Sequence, residues 1–190
     1  MLRIPVYILA GGKSSRFGSD KARAHFSDGA PLLSRIVRAL EPCALSCTAV
    51  AEAADKYADL NVRTIADLHP GLGPLAGLHA ALKDLPAPGW LLLLSCDFVA
   101  LDCDWAVALQ DASGANKVLS VAFRGEKIEP LFALYHSDLL QEVERSLERG
   151  ALSPAKLIER VAHTLLPLPA NWPALAHINT RDEFALAATK

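Results

Sequence analysis

Short apolar runs alternate with amphipathic segments along most of the chain. The apolar runs predict buried β-strands at residues 4–10, 45–51, 62–66, 90–96, 117–123, 130–136 and 164–169. Hydrophobic residues at helical spacing predict α-helices at residues 31–41, 73–85, 104–110, 137–150, 153–162 and 179–188. This alternation is typical of an α/β protein in which helices cover both faces of a mainly parallel sheet.

Capping residues mark the ends of several predicted helices. Ser137 is expected to cap the helix at 137–150, and Gly150 to end it. Ser153, which a proline follows, is expected to cap the next helix. Asp102 belongs to an acid-x-acid triplet, but its place at a helix start favours a cap over a metal ligand.

Length, composition and net charge limit the class of protein. A chain of 190 residues suits one domain, and 52% hydrophobic with 21% charged residues is enough to build a full core. The net charge of -2 argues against broad binding to nucleic acid or to an anionic membrane. The apolar run at 90–96 is too short to span a bilayer. We therefore predict a single domain over residues 1–190 that binds neither nucleic acid nor membranes.

Cysteine usage indicates a reducing compartment. Cys43 and Cys47 match no paired zinc motif, and Cys96 and Cys103 stand apart from them in the sequence. The apolar run within residues 1–10 is too short for a secretory signal. We predict reduced, mostly core-packing thiols in a cytoplasmic protein.

The stretch "LAGGKSSRFGSDKA" at residues 9–22 leaves the first predicted strand directly into a glycine-rich, cationic loop. Gly11 and Gly12 allow close backbone approach, and exposed amides form concave anion sites. Arg16 and Lys21 supply the positive charge that a polyphosphate requires. A flexible turn without a ligand is the alternative.

Two common phosphate-binding motifs do not account for this loop. A P-loop needs a glycine five residues before Gly12, and Tyr7 stands there. The dinucleotide pattern GxGxxG is absent, since the last glycine of "GLGPLAG" at 71–77 comes one residue too late. The loop is therefore a phosphate-binding loop of another kind or a simple turn.

Two acidic residues follow other predicted strands. Asp67 follows the third strand and precedes a glycine-rich loop, and Asp97 follows the fourth strand. Ligands of parallel sheets bind beyond the carboxyl ends of the strands, where we expect both acids and the cationic loop. A carboxylate at Asp97 could hold Mg²⁺ against phosphate oxygens. The alternatives are a turn residue at Asp67 and a helix cap or surface acid at Asp97.

Five blocks of the sequence resemble the molybdenum cofactor guanylyltransferases, a MobA-like branch of the nucleotidyltransferase superfamily. "LAGGKSSRFGSDKA" is similar to that family's nucleotide-binding signature LAGGxSxRMGxDK. The later blocks follow in the family's order: "D-x(5)-GPLAGLHAAL" (67–82), "LLLLSCDF" (91–98), "EPLFALYH" (129–136) and "INTRDEF" (178–184). The resemblance spans nearly the whole chain and implies a three-layer, Rossmann-like nucleotidyltransferase fold with a mainly parallel central sheet.

The resemblance also implies an activity. The family transfers GMP from GTP to the phosphate of molybdopterin or molybdenum cofactor, releases pyrophosphate and uses Mg²⁺. The implied partners are GTP and that cofactor, with molybdoenzymes or cofactor-delivery proteins as further partners. The alternatives are a related nucleotidyltransferase that uses CTP or a sugar-phosphate acceptor, and a non-catalytic nucleotide-binding assembly protein.

By resemblance, the nucleotide-binding residues lie in the first block. Contacts to guanine and ribose are expected from Leu9, Ala10 and Gly11. The triphosphate loop is expected to contain Gly12, Arg16, Gly18 and Lys21. Arg16 and Lys21 are the implied catalytic cations, because they counter charge on the phosphates.

The resemblance assigns the remaining roles to residues in or beside the later blocks. Asp67 is expected to read guanine, and Asp97 to act in catalysis as the Mg²⁺ ligand. Glu129 and Asn179 are expected to bind the acceptor. The resemblance thus divides the domain into a nucleotide-binding half, about residues 1–100, and an acceptor-binding half, about residues 101–190.

Several positions depart from the family pattern. Phe17 replaces a methionine, and Ser95 stands where the family has proline before Cys-Asp. Glu52 replaces an asparagine near the base, and His177 replaces the first asparagine of Asn-x-Asn-Thr. The arginine that often follows the glycine at the end of the 137–150 helix is absent, and Arg149 is the nearby substitute. Glu52, His177 and Arg149 stand at or near positions that the family uses to recognise the base and the acceptor, and none of them belongs to the phosphate loop.

Overall fold

The computed structural model describes residues 4–11, 20–26, 28–98, 100–114, 117–173, 177–178, 180 and 182–184. The strands are β1 (Pro5–Leu9), β2 (Ser46–Ala51), β3 (Arg63–Ala66), β4 (Trp90–Ser95), β5 (Ser120–Arg124), β6 (Ile128–His136) and β7 (His163–Pro167). The α-helices are α1 (Leu32–Leu40), α2 (Pro74–Asp84), α3 (Cys103–Ser113), α4 (Leu140–Glu148) and α5 (Pro154–Arg160). These elements confirm the predicted strands and all predicted helices except the one at 179–188, most of which lies outside the described residues.

All seven strands form one sheet in the order β3-β2-β1-β4-β6-β5-β7. Parallel pairing joins β3, β2, β1 and β4, and also β5 with β7. β6 runs antiparallel to both of its neighbours, β4 and β5. The prediction of a mainly parallel sheet is confirmed. The carboxyl ends of β1 to β4 consequently meet at one edge, where a ligand site is expected.

The sheet carries a hydrophobic core on each face. In β4, Leu92 and Leu94 pack into the core that α1 and α3 cover, whereas Leu91 and Leu93 pack into the core on the opposite face. Helices α2, α4 and α5 cover that second face. Because alternate side chains of a strand point to opposite faces, burial on both sides requires the continuous apolar run of β4. The three-layer arrangement follows from this packing.

Two helix caps occur as predicted. The Ser153 hydroxyl accepts a hydrogen bond from the backbone amide of Lys156 at 3.4 Å, at the start of α5. The Asp102 carboxylate accepts from the Asp104 amide at 2.9 Å, at the start of α3. Asp102 therefore acts as a cap, as its position indicated.

The cap predicted at Ser137 is wrong. A 3-10 turn over Ser137–Leu139 precedes α4, and His136 is its N-cap. The Ser137 hydroxyl instead accepts a hydrogen bond from the Gly89 amide at 3.1 Å. Gly89 immediately precedes β4, so the serine stabilises the start of a neighbouring strand rather than its own helix. This contact joins residues far apart in sequence, and no local pattern signals it.

The expectation of reduced cysteines is wrong for one pair. Cys43, just after α1, forms a disulfide with Cys103, the first residue of α3, and their Cα atoms lie 5.9 Å apart. The two residues are separated by 60 positions in sequence, and only packing of α1 beside α3 brings them together. Cys47 and Cys96 are free, as expected. Within the described part of the chain, no helix has the length and apolar character needed to cross a membrane.

An ion pair links β3 to the end of α2. The guanidinium of Arg63 donates two hydrogen bonds to the Asp84 carboxylate at 2.7 and 2.8 Å. The hydroxyl of Tyr7 in β1 donates to the same carboxylate at 2.8 Å. The Arg63 hydrogen bonds hold the pKa of Asp84 below its usual value, against the opposing effect of partial burial, and the Tyr7 hydrogen bond adds to the lowering.

We expect Asp84→Asn to lower the free energy of unfolding by about 1 kcal/mol at neutral pH, because an ion pair whose arginine is largely exposed contributes little more than that. A lowered pKa in the folded state stabilises the protein above the unfolded value, about 3.9, and this contribution is lost as pH falls through the folded value. The difference between variant and wild type should therefore shrink below about pH 4. Urea unfolding across that range measures it. A difference that stays constant with pH would contradict the assignment.

Candidate active site

A cavity of about 520 Å³ opens beyond the carboxyl ends of β1 to β4. Six of the predicted site residues line it together: Leu9, Ala10, Gly11, Lys21, Asp67 and Asp97. The cavity wall also includes glycines of the loop that leads into α2 and of α2 itself: Gly71, Gly73 and Gly77. The parallel register explains this grouping, since each of these strands delivers its next residues to the same edge.

Two glycines permit the close packing at the end of β1. A Cβ atom at Gly77 would lie 2.5 Å from the Leu9 side chain, and one at Gly11 would lie 3.2 Å from the Cα of Ala51. The amides of Ala10 and Gly11 both donate to the Val50 carbonyl at 2.9 Å. The Gly11 amide is therefore bonded to β2, and Gly11 contributes to the cavity through its lack of a side chain.

Asp97 lies in a turn directly after β4 and faces the cavity. Its Oδ1 accepts a hydrogen bond from the Ser95 hydroxyl and lies 3.0 Å from Nδ1 of His177. Burial opposes the ionised form, but the hydrogen bonds with His177 and Ser95 outweigh it and lower the pKa of Asp97. Asp97 is thus an ionised carboxylate at the cavity wall, and Oδ2 takes part in neither of these two contacts.

His177 joins the predicted metal ligand to a predicted acceptor residue. Its Nε2 lies 3.4 Å from Oε2 of Glu129, while Nδ1 contacts Asp97. Burial opposes the charged imidazolium, but hydrogen bonds to the two carboxylates raise the pKa of His177 to about 9. The ring also packs on Phe98, with centroids 4.3 Å apart. Sequence reasoning noted His177 only as a departure from the family pattern and did not place it among the site residues.

Lys21 approaches the cavity from a 3-10 turn over Lys21–Arg23. Its ammonium group donates a hydrogen bond to the Ile178 carbonyl. The Ile178 amide donates to the Asp97 carbonyl at 2.9 Å, so residues 177–178 lie between Lys21 and Asp97. Lys21 and Asp97 are far apart in sequence. Ile178 connects them, because its carbonyl accepts from Lys21 and its amide donates to the Asp97 backbone.

Asp67 lies on the side of the cavity formed by β2 and β3. Its amide donates to the Ala51 carbonyl, at the end of β2, at 2.6 Å. Its Oδ1 accepts from the His69 amide at 2.9 Å, which shapes the following loop. Gly71 and Gly73 in that loop have φ values of 90° and 80°, a conformation that favours glycine. Both the predicted turn role and a position at the cavity therefore apply to Asp67.

The remaining predicted residues divide into three groups. Gly12, Arg16, Gly18 and Asn179 lie outside the described residues. Glu129 lies in β6 and contacts His177, which in turn contacts the cavity-lining Asp97. Glu52 points to solvent and pairs with Lys56 at 2.9 Å, while Arg149 caps the C-terminal end of α4 away from the cavity-lining residues.

The described part of the chain contains no group of three His, Cys, Asp or Glu side chains arranged to hold a metal ion by themselves. Mg²⁺ is usually held by only one or two carboxylates, with water and substrate phosphates completing its shell. Asp97 is a hard oxygen donor of this type at the wall of the cavity. This carboxylate therefore fits a magnesium ion that arrives with a polyphosphate.

A mainly parallel sheet with Asp67 and Asp97 at the ends of its strands, and Lys21 at the same cavity, is typical of Rossmann-like folds that bind nucleotides. The sequence profile described as "MobA-like NTP transferase domain" matches residues 6–171, and the chain belongs to this family.

Individual relatives agree with the family. The chain is 40% identical to a "Probable molybdenum cofactor guanylyltransferase" of Deinococcus radiodurans, over 79% of this chain and 76% of the relative. It is 32% identical to a "Molybdenum cofactor guanylyltransferase" of Pseudomonas aeruginosa, over 95% of this chain and 92% of the relative. The crystal structure of the "Molybdopterin-guanine dinucleotide biosynthesis protein A" of Archaeoglobus fulgidus superposes with a TM-score of 0.83, at 23% identity, over 98% of this chain and 97% of that one. This last similarity shows that the fold is shared.

Proposed function

We propose that the protein transfers GMP from GTP to the terminal phosphate of molybdopterin or molybdenum cofactor. Two relatives that align over most of their length are named for this activity, and the chain belongs to their family. The observation that carries the proposal is that Lys21, Asp67 and Asp97 line the same cavity. A cation, a base-reading acid and a metal-binding acid are the groups that nucleotidyl transfer from GTP requires.

The proposed reaction is a substitution at phosphorus. A phosphate oxygen of the acceptor attacks the α-phosphorus of GTP and forms a new P–O bond. The bond between the α-phosphorus and the bridging oxygen breaks, and pyrophosphate leaves with the electron pair. The protein forms no covalent bond in this step, so it acts by aligning the two substrates and by stabilising negative charge. Lys21 and Arg16 are the proposed cations, with Gly12 and Gly18 as further proposed phosphate-binding residues.

The part of the cavity beside Asp67 is the proposed guanine site. Guanine presents two adjacent N–H donors, N1–H and the 2-amino group, and a carboxylate can accept from both. Asp67 is the acid available there, while Glu52 is occupied by Lys56. Leu9, Ala10 and Gly11 provide the apolar surface beside it. The pairing of Glu52 explains how an acidic residue at this position is compatible with binding of the base.

Asp97 is the proposed ligand of Mg²⁺. When bound, the ion would neutralise charge on the phosphates and stabilise the departing pyrophosphate. Ser95 and His177 orient the carboxylate through Oδ1. Glu129, Asn179 and the adjoining His177 form the proposed acceptor side. We retain the division at about residue 100 between nucleotide and acceptor halves, with Asp97 at the boundary, and we propose that the protein works in the cytoplasm, where GTP is available.

We expect the purified protein to bind GTP in preference to ATP, CTP and UTP, and to bind it more tightly with Mg²⁺. Calorimetric titration of each nucleotide, with and without Mg²⁺, measures both effects. Preference for CTP would assign the protein to a cytidylyl branch with the same fold. Binding of GTP without pyrophosphate release in the presence of molybdopterin would instead support a non-catalytic assembly protein.

Lys21→Ala should lower kcat/KM for GTP at least about tenfold, since a charge-assisted contact to phosphate is removed. Loss of the hydrogen bond to Ile178 should lower the free energy of unfolding by only about 1 kcal/mol. Lys83→Ala is the matched control, because Lys83 is a half-exposed lysine on α2 paired with Glu144. Equal turnover by wild type and Lys21→Ala would remove Lys21 from the mechanism.

Asp97→Asn should abolish the tightening of GTP binding by Mg²⁺ while leaving metal-free GTP binding within about threefold of wild type. The amide replaces a carboxylate of the same shape and removes the charge that attracts the ion. Asp111→Asn, at an exposed position in α3, is the control. The measurement is GTP affinity as a function of Mg²⁺ concentration. An unchanged magnesium dependence would rule out Asp97 as the ligand.

A further inference from the structure

The segment between β1 and Lys21 includes Gly12, Arg16 and Gly18, which are proposed to bind the phosphates, and both of its ends are described. Ala10 lies at the first end, directly after β1, and Asp20 lies at the second, directly before Lys21. Tyr57, in the loop between β2 and β3, contacts both ends. Its hydroxyl lies 3.0 Å from the Ala10 carbonyl oxygen and 3.2 Å from each carboxylate oxygen of Asp20. One buried side chain therefore joins the beginning of this segment to its end.

Asp20 connects Tyr57 to the turn that contains Lys21. Its Oδ1 accepts a hydrogen bond from the Ala22 amide at 3.1 Å, which makes Asp20 the N-cap of the turn that contains Lys21. Its Oδ2 lies 3.0 Å from the ammonium group of Lys56. The carboxylate is thus held by a backbone amide, a cation and a phenol, so its position determines where the turn begins.

The environment of Tyr57 favours a rigid, neutral donor. The side chain is completely buried, and burial raises the pKa of its hydroxyl well above the usual value. Two cations lie near the ring, with the Arg23 guanidinium 5.4 Å and the Lys56 ammonium 5.1 Å from its centroid. The hydroxyl has one hydrogen, which it shares between the Ala10 carbonyl and the Asp20 carboxylate, since both lie within hydrogen-bond distance.

We propose that Tyr57 is a positioning residue for nucleotide binding. Its hydroxyl ties the end of β1 to Asp20 and thereby places Lys21 at the cavity. Tyr57 is absent from the described residues that line the cavity, so it acts through Asp20 rather than by touching the nucleotide. The inference rests on the proposed role of Lys21 in binding the phosphates of GTP.

The test is Tyr57→Phe, which removes the hydroxyl and retains the ring. GTP affinity in the presence of Mg²⁺ should fall about tenfold, the size expected for one buried hydrogen bond to a charged group. In the transfer reaction, KM for GTP should rise while KM for the acceptor stays unchanged. Calorimetry and steady-state kinetics measure these two effects.

Tyr7→Phe is the matched control. Tyr7 is also a buried tyrosine whose hydroxyl donates to an aspartate, Asp84, at 2.8 Å, but neither residue lines the cavity. The two substitutions should lower the melting temperature to a similar extent. Only Tyr57→Phe should weaken GTP binding, and Tyr7→Phe should stay within about twofold of wild type.

A double-mutant cycle with Asp20→Asn provides the second test. The asparagine oxygen can still cap the turn, but the amino group replaces one of the two oxygens that face Tyr57 and the negative charge is lost, so the contact is weakened. If the two residues act through one contact, the losses of GTP affinity will not add in the double variant. Asp20→Asn alone is informative if Tyr57→Phe does not fold, and it should weaken GTP binding in the same direction.

Three results would overturn the inference: wild-type GTP affinity in Tyr57→Phe, equal losses in Tyr57→Phe and Tyr7→Phe, or additive losses in the cycle. If Tyr57→Phe does not fold, wild-type affinity in Asp20→Asn would also overturn it. Failure of the wild-type protein to bind GTP would overturn the proposed function itself, and the wild-type titration detects it independently of the variants. The variants are therefore measured against a wild-type titration in the same buffer.

Discussion

The parallel pairing of β1 with β2 on one side and β4 on the other is the constraint on which the site depends. In this register Leu9 lies opposite both Val50 and Ser95. The residues that follow each strand therefore arrive at one edge of the sheet. A shift of one residue would turn every side chain of β1 to the opposite face of the sheet, and both cores would lose their packing. The energy of core packing thus maintains the alignment of the site.

Electrostatics provides the second level of organisation. Asp97 is largely withdrawn from water, and an ionised carboxylate in such a place requires partners. His177 and Ser95 supply them, and His177 extends the network to Glu129 on the proposed acceptor side. The resulting chain of polar contacts crosses the proposed boundary between the two substrates. The two proposed substrate sites therefore share structural support.

Much of the architecture could be predicted because the hydrophobic pattern is clear. β4 begins with five consecutive apolar residues, "WLLLL", and such a short apolar run is typical of a strand buried on both faces. Ser153 and Asp102 cap their helices through contacts within three residues, and such local hydrogen bonds are readable from sequence. Ser137 failed as a cap because its hydroxyl binds Gly89, a partner that only the folded chain brings near.

The sequence by itself determined the order of strands and helices, the alternation that produces a parallel sheet, and the positions of Asp67 and Asp97 after strands. These properties depend on side-chain periodicity and local backbone preference, which act over a few residues. The tertiary structure alone decided the pairing of Cys43 with Cys103, the bridge of His177 between two carboxylates, and the contact of Tyr57 with both ends of the segment after β1. Each of these joins residues distant in sequence, and its geometry exists only after the helices and strands have packed.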